Sequence, residues 1–237
     1  MIITLNRIKI LYKNRWSHTV TKLFPAPWSL EGNGYIFLYK FPKEYRDDPA
    51  FNIPLSDEPF SGFGTVMLVD YHKSDAGPYR ELLFIPGEFK YLYKKFYSIT
   101  KIYVSTMESV TNGRKNWGIP KEHADFKTIP LSRNREQIIV SKDGVPFFDV
   151  ILKKKAFNFR ISTRYISSAL VQKVDESENI YFTQFNGKGR GRMAKLESIS
   201  CNEEYFPKIC SQRPIAVTAI ENFNIEFPVA FVHKQII

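Results

Sequence analysis

Residues 137–152, QIIVSKDGVPFFDVIL, set two apolar runs around Lys142-Asp143-Gly144. Asp-Gly accepts the positive φ angles of a two-residue hairpin turn, so this stretch commits the chain to antiparallel strands. The same pattern recurs along the sequence. GYIFLYKF (34–41), GTVMLVDYHK (64–73) and ELLFIP (81–86) are short, rich in β-branched and aromatic residues, and bounded by Gly or Pro. In FNFRIS (157–162) the apolar residues Phe157, Phe159 and Ile161 alternate with polar ones, placing them on one face. NIYFTQFNGKGRGRMAKLESIS (179–200) reads as two strands around a glycine-rich turn, and NFNIEFPVAFVHK (222–234) as a further strand.

Helical signals are few. FKYLYKKFYSIT (89–100) carries Phe89, Leu92, Tyr93 and Phe96 on one helical stripe, although its aromatics suit a strand as well. STRYISSALVQKV (162–174) is a weaker helical candidate. The proline-rich, acidic segment 42–64 reads as a long loop. No repeat or low-complexity linker divides the chain. The expectation is one domain over residues 1–237 of the mainly β (α+β) class. It is a mostly antiparallel, closed or nearly closed β-barrel with a few short helices, because such sheets hide their edges. A barrel of this kind can hold a small ligand.

Composition narrows the function. The chain has 237 residues, 43% hydrophobic and 15% aromatic, which is ample for a core. The net charge is +10, but no zinc-finger spacing or aromatic RNA-binding signature accompanies it, so nucleic acid is not the expected partner. The N-terminal MIITLNRIKILYKN is interrupted by Asn6, Arg7 and Lys9 and lacks a secretion signal's continuous apolar region. No run approaches the ~18 apolar residues of a membrane helix. Cys201 and Cys210 make neither a disulfide framework nor a zinc site, which points to reduced thiols and a cytoplasmic location.

Candidate chemistry is limited to a few places. GKGRGR (187–192) departs from a phosphate-binding P-loop and reads as a basic hairpin turn. The histidines His18, His72, His123 and His233 are scattered, and no Gly-x-Ser-x-Gly elbow is present. Asp70 and Glu81 make no convincing carboxylate pair. No metal or organic cofactor is expected.

Two stretches remain, GPYRELLFIPG (77–87) and GRKNWGIPK (113–121). Together they resemble the acetoacetate decarboxylase family, in which a Tyr-x-Glu strand precedes a Gly-Arg-x-x-x-Gly-x-Pro-Lys string. The matching positions are Tyr79, Glu81, Gly113, Arg114, Trp117, Gly118, Pro120 and Lys121, and APWSLEGNGYIF (26–37) looks like the family's first strand. The resemblance implies that Lys121 forms a Schiff base with a small keto acid and that Glu81 orients substrate or moves protons. It implies positioning or binding roles for Tyr79 and Trp117. Arg114 would pin the loop in preference to holding a carboxylate. A homo-oligomer is also implied.

Three positions depart from the family's decarboxylases. Glu122 follows the lysine where they have a second lysine. Asn33 stands where they carry an arginine, and Val66 where they carry a second glutamate. The first bears directly on reactivity. An ordinary lysine has a pKa near ~10.4, and making it a nucleophile at neutral pH takes about three units, or ~4 kcal/mol. An ionised carboxylate within ~4–6 Å acts in the opposite direction. On a strand, neighbours point to opposite faces, which would turn Glu122 away. The expected reaction is decarboxylation of a β-keto acid. Schiff-base aldolase or dehydratase chemistry is the first alternative, and a non-catalytic barrel that binds a small molecule is the second.

Overall fold

The structure, a computed structural model, describes residues 22–56, 58–163, 169–173 and 178–234. The chain opens with β1 (Trp28–Tyr39), two short 3-10 turns (Lys43–Asp47 and Pro49–Phe51), β2 (Gly64–Lys73) and β3 (Tyr79–Ile85). Next come β4 (Glu88–Tyr91), β5 (Lys94–Tyr97), β6 (Lys101–Val104), the helix α1 (Met107–Trp117) and β7 (Lys121–His123). They are followed by β8 (Asp125–Ser132), β9 (Arg135–Lys142), β10 (Val145–Ser162) and β11 (Leu170–Lys173). The last elements are β12 (Asn179–Thr183), β13 (Asn186–Cys201), β14 (Ala216–Phe227) and β15 (Phe231–Lys234).

Ten strands make one curled sheet in the order β7-β6-β3-β2-β1-β14-β13-β10-β9-β8, and five make a smaller sheet, β15-β12-β11-β5-β4. Pairing is antiparallel except for β6 with β7 and β11 with β5. The mainly β, largely antiparallel architecture matches the expectation from sequence, but the barrel is not closed by a ladder. Its terminal strands β7 and β8 are consecutive in the chain, with Ala124 alone between them. The curl brings its two ends together through the covalent chain, and the Ala124 amide bonds back to the Val104 carbonyl at 3.0 Å.

Because strand side chains alternate, the large sheet carries a different core on each face. Tyr35, Phe37 and Tyr39 of β1, Val66 and Leu68 of β2, and Val150 and Leu152 of β10 share one cluster. Trp28 and Leu30 of β1, Tyr71 of β2 and Ile102 of β6 belong to the second, which α1 and β11 cover through Val110, Trp117 and Leu170. The loop 42–64 closes the end of the first cluster. Phe51 is fully buried there, with ring centroids of Phe41, Phe60 and Phe84 at 5.0, 5.6 and 4.9 Å.

Several local expectations change. Residues 89–100 form no helix. Leu92 and Tyr93 both take positive φ (47° and 64°), closing a two-residue turn between β4 and β5 in which Phe89 faces Phe96. Cross-strand aromatic packing outweighs the helical stripe here. Of the candidate helix at 162–174, Leu170–Lys173 is strand, and residues 164–168 and 174 lie outside the described residues. So do the N-terminal stretch 1–21 and His18.

GKGRGR is not a turn but the start of β13. Its glycines alternate with its cations because a Cβ at Gly187, Gly189 or Gly191 would sit 2.7, 2.9 or 2.5 Å from Ile225, Phe223 or Ile161. Period two, not turn chemistry, is the message of that motif. Cys201 and Cys210, expected as free thiols, are joined as a disulfide across a nine-residue separation, with Cα atoms 6.1 Å apart. Cys201 ends β13, and the turns that follow bring Cys210 back beside it under the first core. The Asp143-Gly144 turn forms as expected, with φ of 52° and 80°. No helix among the described residues is long and apolar enough to cross a membrane.

Burial of Phe51 makes the irregular loop part of the core. Phe51→Ala is expected to destabilise the fold by about 3–5 kcal/mol, the usual cost of emptying a buried phenyl site. Chemical denaturation followed by circular dichroism measures this; a loss below ~1 kcal/mol would mean that the loop is only loosely docked.

Candidate active site

Lys121 begins β7 and points into the second core, with only 3% of its surface exposed. A buried ammonium needs partners for its three N–H bonds. They are Glu81 Oε2 at 3.0 Å, Ser109 Oγ at 3.1 Å and Tyr79 Oη at 3.4 Å. The Lys121 Nζ also lies 4.9 Å from the centre of the Tyr79 ring, a cation–π contact. Glu81 is equally buried, so the two form a buried ion pair.

Each side chain arrives from a different element. Tyr79 and Glu81 sit two apart on β3 and face the same way, while Tyr71 stands opposite Tyr79 in the β2–β3 register with its ring centroid 4.7 Å away. Ser109 comes from the first turn of α1. That helix starts at Thr106, whose side chain accepts from the Ser109 amide at 3.3 Å. It stops at Gly118, in the left-handed region at φ 62°, whose N–H returns to the Arg114 carbonyl. A side chain at Gly118 would also strike the Tyr181 ring at 2.5 Å. Asn112 ties the helix to the preceding chain by accepting from the Phe24 amide at 2.7 Å and donating to the Lys22 carbonyl at 3.0 Å.

Gly113 sits inside α1, where glycine costs roughly 1 kcal/mol relative to alanine. A Cβ there would lie 2.6 Å from Lys121 Cδ and 2.8 Å from Cε. The missing side chain is the channel through which the lysine stem reaches Glu81. Arg114, the next residue, donates from Nε to the Lys121 backbone carbonyl at 2.8 Å, which fixes where β7 begins. Trp117 is buried. It donates to the Pro228 carbonyl at 2.7 Å and packs edge-on against Trp28 at 5.0 Å.

Glu122 projects the other way. It joins Lys101 and Lys142, each at 2.6 Å, on the opposite side of β7 from the Lys121 amine. Partial burial would raise its carboxyl, but the hydrogen bonds and charges of the two lysines outweigh burial and hold it below the usual carboxylate range. Its charge is neutralised by these partners, not directed at Lys121.

The supporting positions also need reassignment. Val66 lies in the first core and Asn33 bonds the Asn222 amide at 2.9 Å, so neither position faces Lys121. The residues that do face the site from β1 and β2 are Leu30, Met67, Val69 and Tyr71, and Val69 stands directly opposite Glu81. The departures from the family pattern therefore persist in a different form, because apolar groups line those walls. Burial, followed by the charge of Glu81, pushes the Tyr71 and Tyr79 hydroxyls far above their ordinary range. Both stay protonated beside the carboxylate.

Ser109 and Tyr71 are site residues that the sequence reading missed. Thr106 before Glu108, with Gly118 and Pro120 beyond, was the available signal for the helix that carries Ser109. Among the described residues, no group of three His, Cys, Asp or Glu side chains gathers to hold a metal.

The cavity at Lys121 has a volume of about 190 Å³. Its walls are aliphatic and aromatic, with the amine, a carboxylate and two phenols at one end. Such a site can add an amine to a carbonyl, remove the amine's proton and donate hydrogen bonds to a carbonyl oxygen.

The structure is a β-rich fold with a lysine set in an apolar chamber, and comparison with solved structures gives that fold its name. The chain has the fold of acetoacetate decarboxylase and acetoacetate decarboxylase-like enzymes. Acetoacetate decarboxylase from Legionella pneumophila subsp. pneumophila str. Philadelphia 1 superposes with a TM-score of 0.63 at 13% identity over 98% of each chain. An acetoacetate decarboxylase-like enzyme from Sphingomonas wittichii RW1 gives 0.64 at 12% identity, covering 90% of this chain and 95% of that one. The enduracididine biosynthesis enzyme MppR complexed with pyruvate gives 0.58 at 11% identity over 89% and 91%. No protein-family model matches the sequence, and no curated protein sequence does.

Two outcomes follow from this geometry. Gly113→Ala is expected to displace the lysine stem and to slow amine chemistry at Lys121 by at least ~10-fold, with a much smaller loss of thermal stability. The rate of adduct formation, set beside the melting temperature, separates the two effects. Glu122 should contribute to pH-dependent stability. Its folded pKa is lowered, so its contribution is present above the unfolded value near ~4.3 and disappears as pH falls through the lower folded value. The stability difference between wild type and Glu122→Gln should therefore shrink on acidification below about pH 4, as measured by thermal melts across pH.

Proposed function

We propose that the protein is a Schiff-base enzyme that acts on a small keto acid, with Lys121 as nucleophile and Glu81 as its proton partner. The observation that carries this reading is a lysine buried at the end of an apolar cavity with a carboxylate 3.0 Å from its amine. Proton transfer from Lys121 to Glu81 gives the neutral amine that addition to a carbonyl requires. The neutral amine adds to the ketone carbon. Loss of water from the carbinolamine leaves a protonated imine on Lys121.

For a β-keto acid, the bond to the carboxyl carbon then breaks. Its electron pair moves into the carbon–carbon bond and onto the imine nitrogen, and carbon dioxide leaves. The enamine takes a proton on carbon, and water releases the ketone and the lysine. Glu81, with the protonated hydroxyls of Tyr79 and Tyr71 beside it, supplies the proton relay. The cavity's apolar walls support decarboxylation in particular, because the step discharges a carboxylate that water no longer solvates.

A second reading is Schiff-base condensation or dehydration, which uses the same imine. It is favoured by the absence of any arginine from the cavity wall among the described residues, since decarboxylation would otherwise gain from a fixed anchor for the acid. MppR, of like fold, has been captured with the condensation product of pyruvate and imidazole 4-carboxaldehyde.

Borohydride reduction in the presence of acetoacetate, pyruvate and longer keto acids, followed by peptide mapping, tests the assignment. A substrate-dependent adduct on Lys121 is expected, with none in Lys121→Ala. Glu81→Gln should retain the fold and slow adduct formation by roughly 10²–10⁴-fold, the range of a lost acid–base group. An unmodified Lys121 with every acid, in folded protein, would end the Schiff-base reading. Carbon dioxide release distinguishes decarboxylation from condensation.

A further inference from the structure

The cavity is far longer than acetoacetate requires. Its wall starts at Glu81 on β3 and crosses Val69 on β2, Leu30 on β1 and Ile225 on β14 to reach Gly189 on β13. That is four strand-to-strand steps, about 19 Å along the curved sheet. Charge is confined to its two ends. Lys121 and Glu81 stand at one, and at the other Lys188 is on the outward-facing, solvent-exposed side of β13. Between them the wall is mostly aliphatic and aromatic, with the hydroxyls of Ser162 and Thr163 near the β13 end, and it has much to receive a hydrocarbon. The glycines of β13 remove side chains from the far wall, so Ile225, Phe223 and Ile161 occupy the space their Cβ atoms would take.

We infer that the substrate of this site is a keto acid with an extended apolar tail. Its ketone carbon reacts at Lys121, and its chain lies across β2, β1 and β14 toward Gly189. The inference rests on the Schiff-base reading above and specifies its substrate class. A tail of roughly fifteen carbons fits the span, at about 1.2 Å per atom of an extended chain. Gly187 and Gly189, which line the far wall, act as specificity-determining residues by letting Ile225 and Phe223 close against β13 and so setting where the tail's path ends.

The test uses the intact protein and a series of β-keto acids from acetoacetate to about eighteen carbons, a length set by the span. Lys121 adducts and corrected rates of carbon dioxide release are measured for each. Burying each added methylene should raise kcat/KM by about threefold to fourfold until the tail reaches Gly189. Ile161→Phe, which narrows the far end, should move the preferred length to a shorter acid.

Long methyl ketones, which lack the carboxylate, should perturb the emission of Trp28 and Trp117 with an affinity that rises with length, because both rings line the cavity. Adduct formation on Lys121 with flat or falling rates beyond acetoacetate would overturn the tail assignment and leave the Schiff-base function standing. Length-dependent ketone binding with no adduct at any length would overturn the Schiff-base function instead, leaving a chamber that receives alkyl chains without reacting with them.

Discussion

A lysine and a glutamate share a hydrogen bond at the buried end of an apolar cavity, and much of the surrounding structure can be read as provision for that pair. Removing either charge alone would strand the other, at a cost of several kcal/mol. The pair also needs partners for its remaining hydrogen-bonding groups. Ser109 and Tyr79 supply them, and this requires the first turn of α1 to lie over the β7-β6-β3 edge of the large sheet. The helix must therefore lie against the lysine stem, and Gly113 makes that approach possible. Arg114 then holds the carbonyl of the same lysine from outside. A buried ion pair is a poor device for stability, since well-packed apolar residues would serve as well or better. Its presence in an otherwise greasy chamber is therefore best understood through chemistry.

Much of the fold could be read from the chain, because alternation and turn residues are local signals. The Asp143-Gly144 hairpin, the strands at 64–73 and 81–86 and the bulk β character follow from neighbours in sequence. The misreadings arose where the decisive contact is distant. Phe89 looked helical through its spacing to Leu92 and Phe96, but it is buried against another layer, and the turn at Leu92-Tyr93 depends on that docking. The glycines of β13 looked like a turn because their purpose lies in the side chains of β14 and β10. The helix α1 was missed because it has almost no apolar stripe. Its buried residues include Ser109, Asn112 and Gly113, which serve a lysine and a segment beyond its ends.

The site's components were legible as a motif, but their arrangement was not. Sequence spacing placed Lys121, Glu81, Tyr79, Arg114 and Trp117 on one short list without showing which atoms meet. Strand parity resolves the rest. Because β1 and β2 carry a core on each face, a shift of one residue in alignment exchanges a chamber position for a packing position. Asn33 and Val66, the positions that stand where the family has an arginine and a glutamate, both belong to the face away from the amine. Glu122 is the clearest case. It is adjacent to Lys121 in the chain but belongs to a different electrostatic neighbourhood, that of Lys101 and Lys142.

The seam of the large sheet makes this parity consequential. A single residue, Ala124, carries the chain from one end of the curl to the other, and β7 before it is only three residues long. Most loops absorb length changes cheaply, but this junction has no slack. A slip of one position would send Glu122 inward and Lys121 outward, since every side chain on a strand changes face together. The protein would keep its composition while exchanging a buried amine for an acid. The identity of the chamber's basic group is thus set by counting, one residue at a time, from the place where the sheet meets itself.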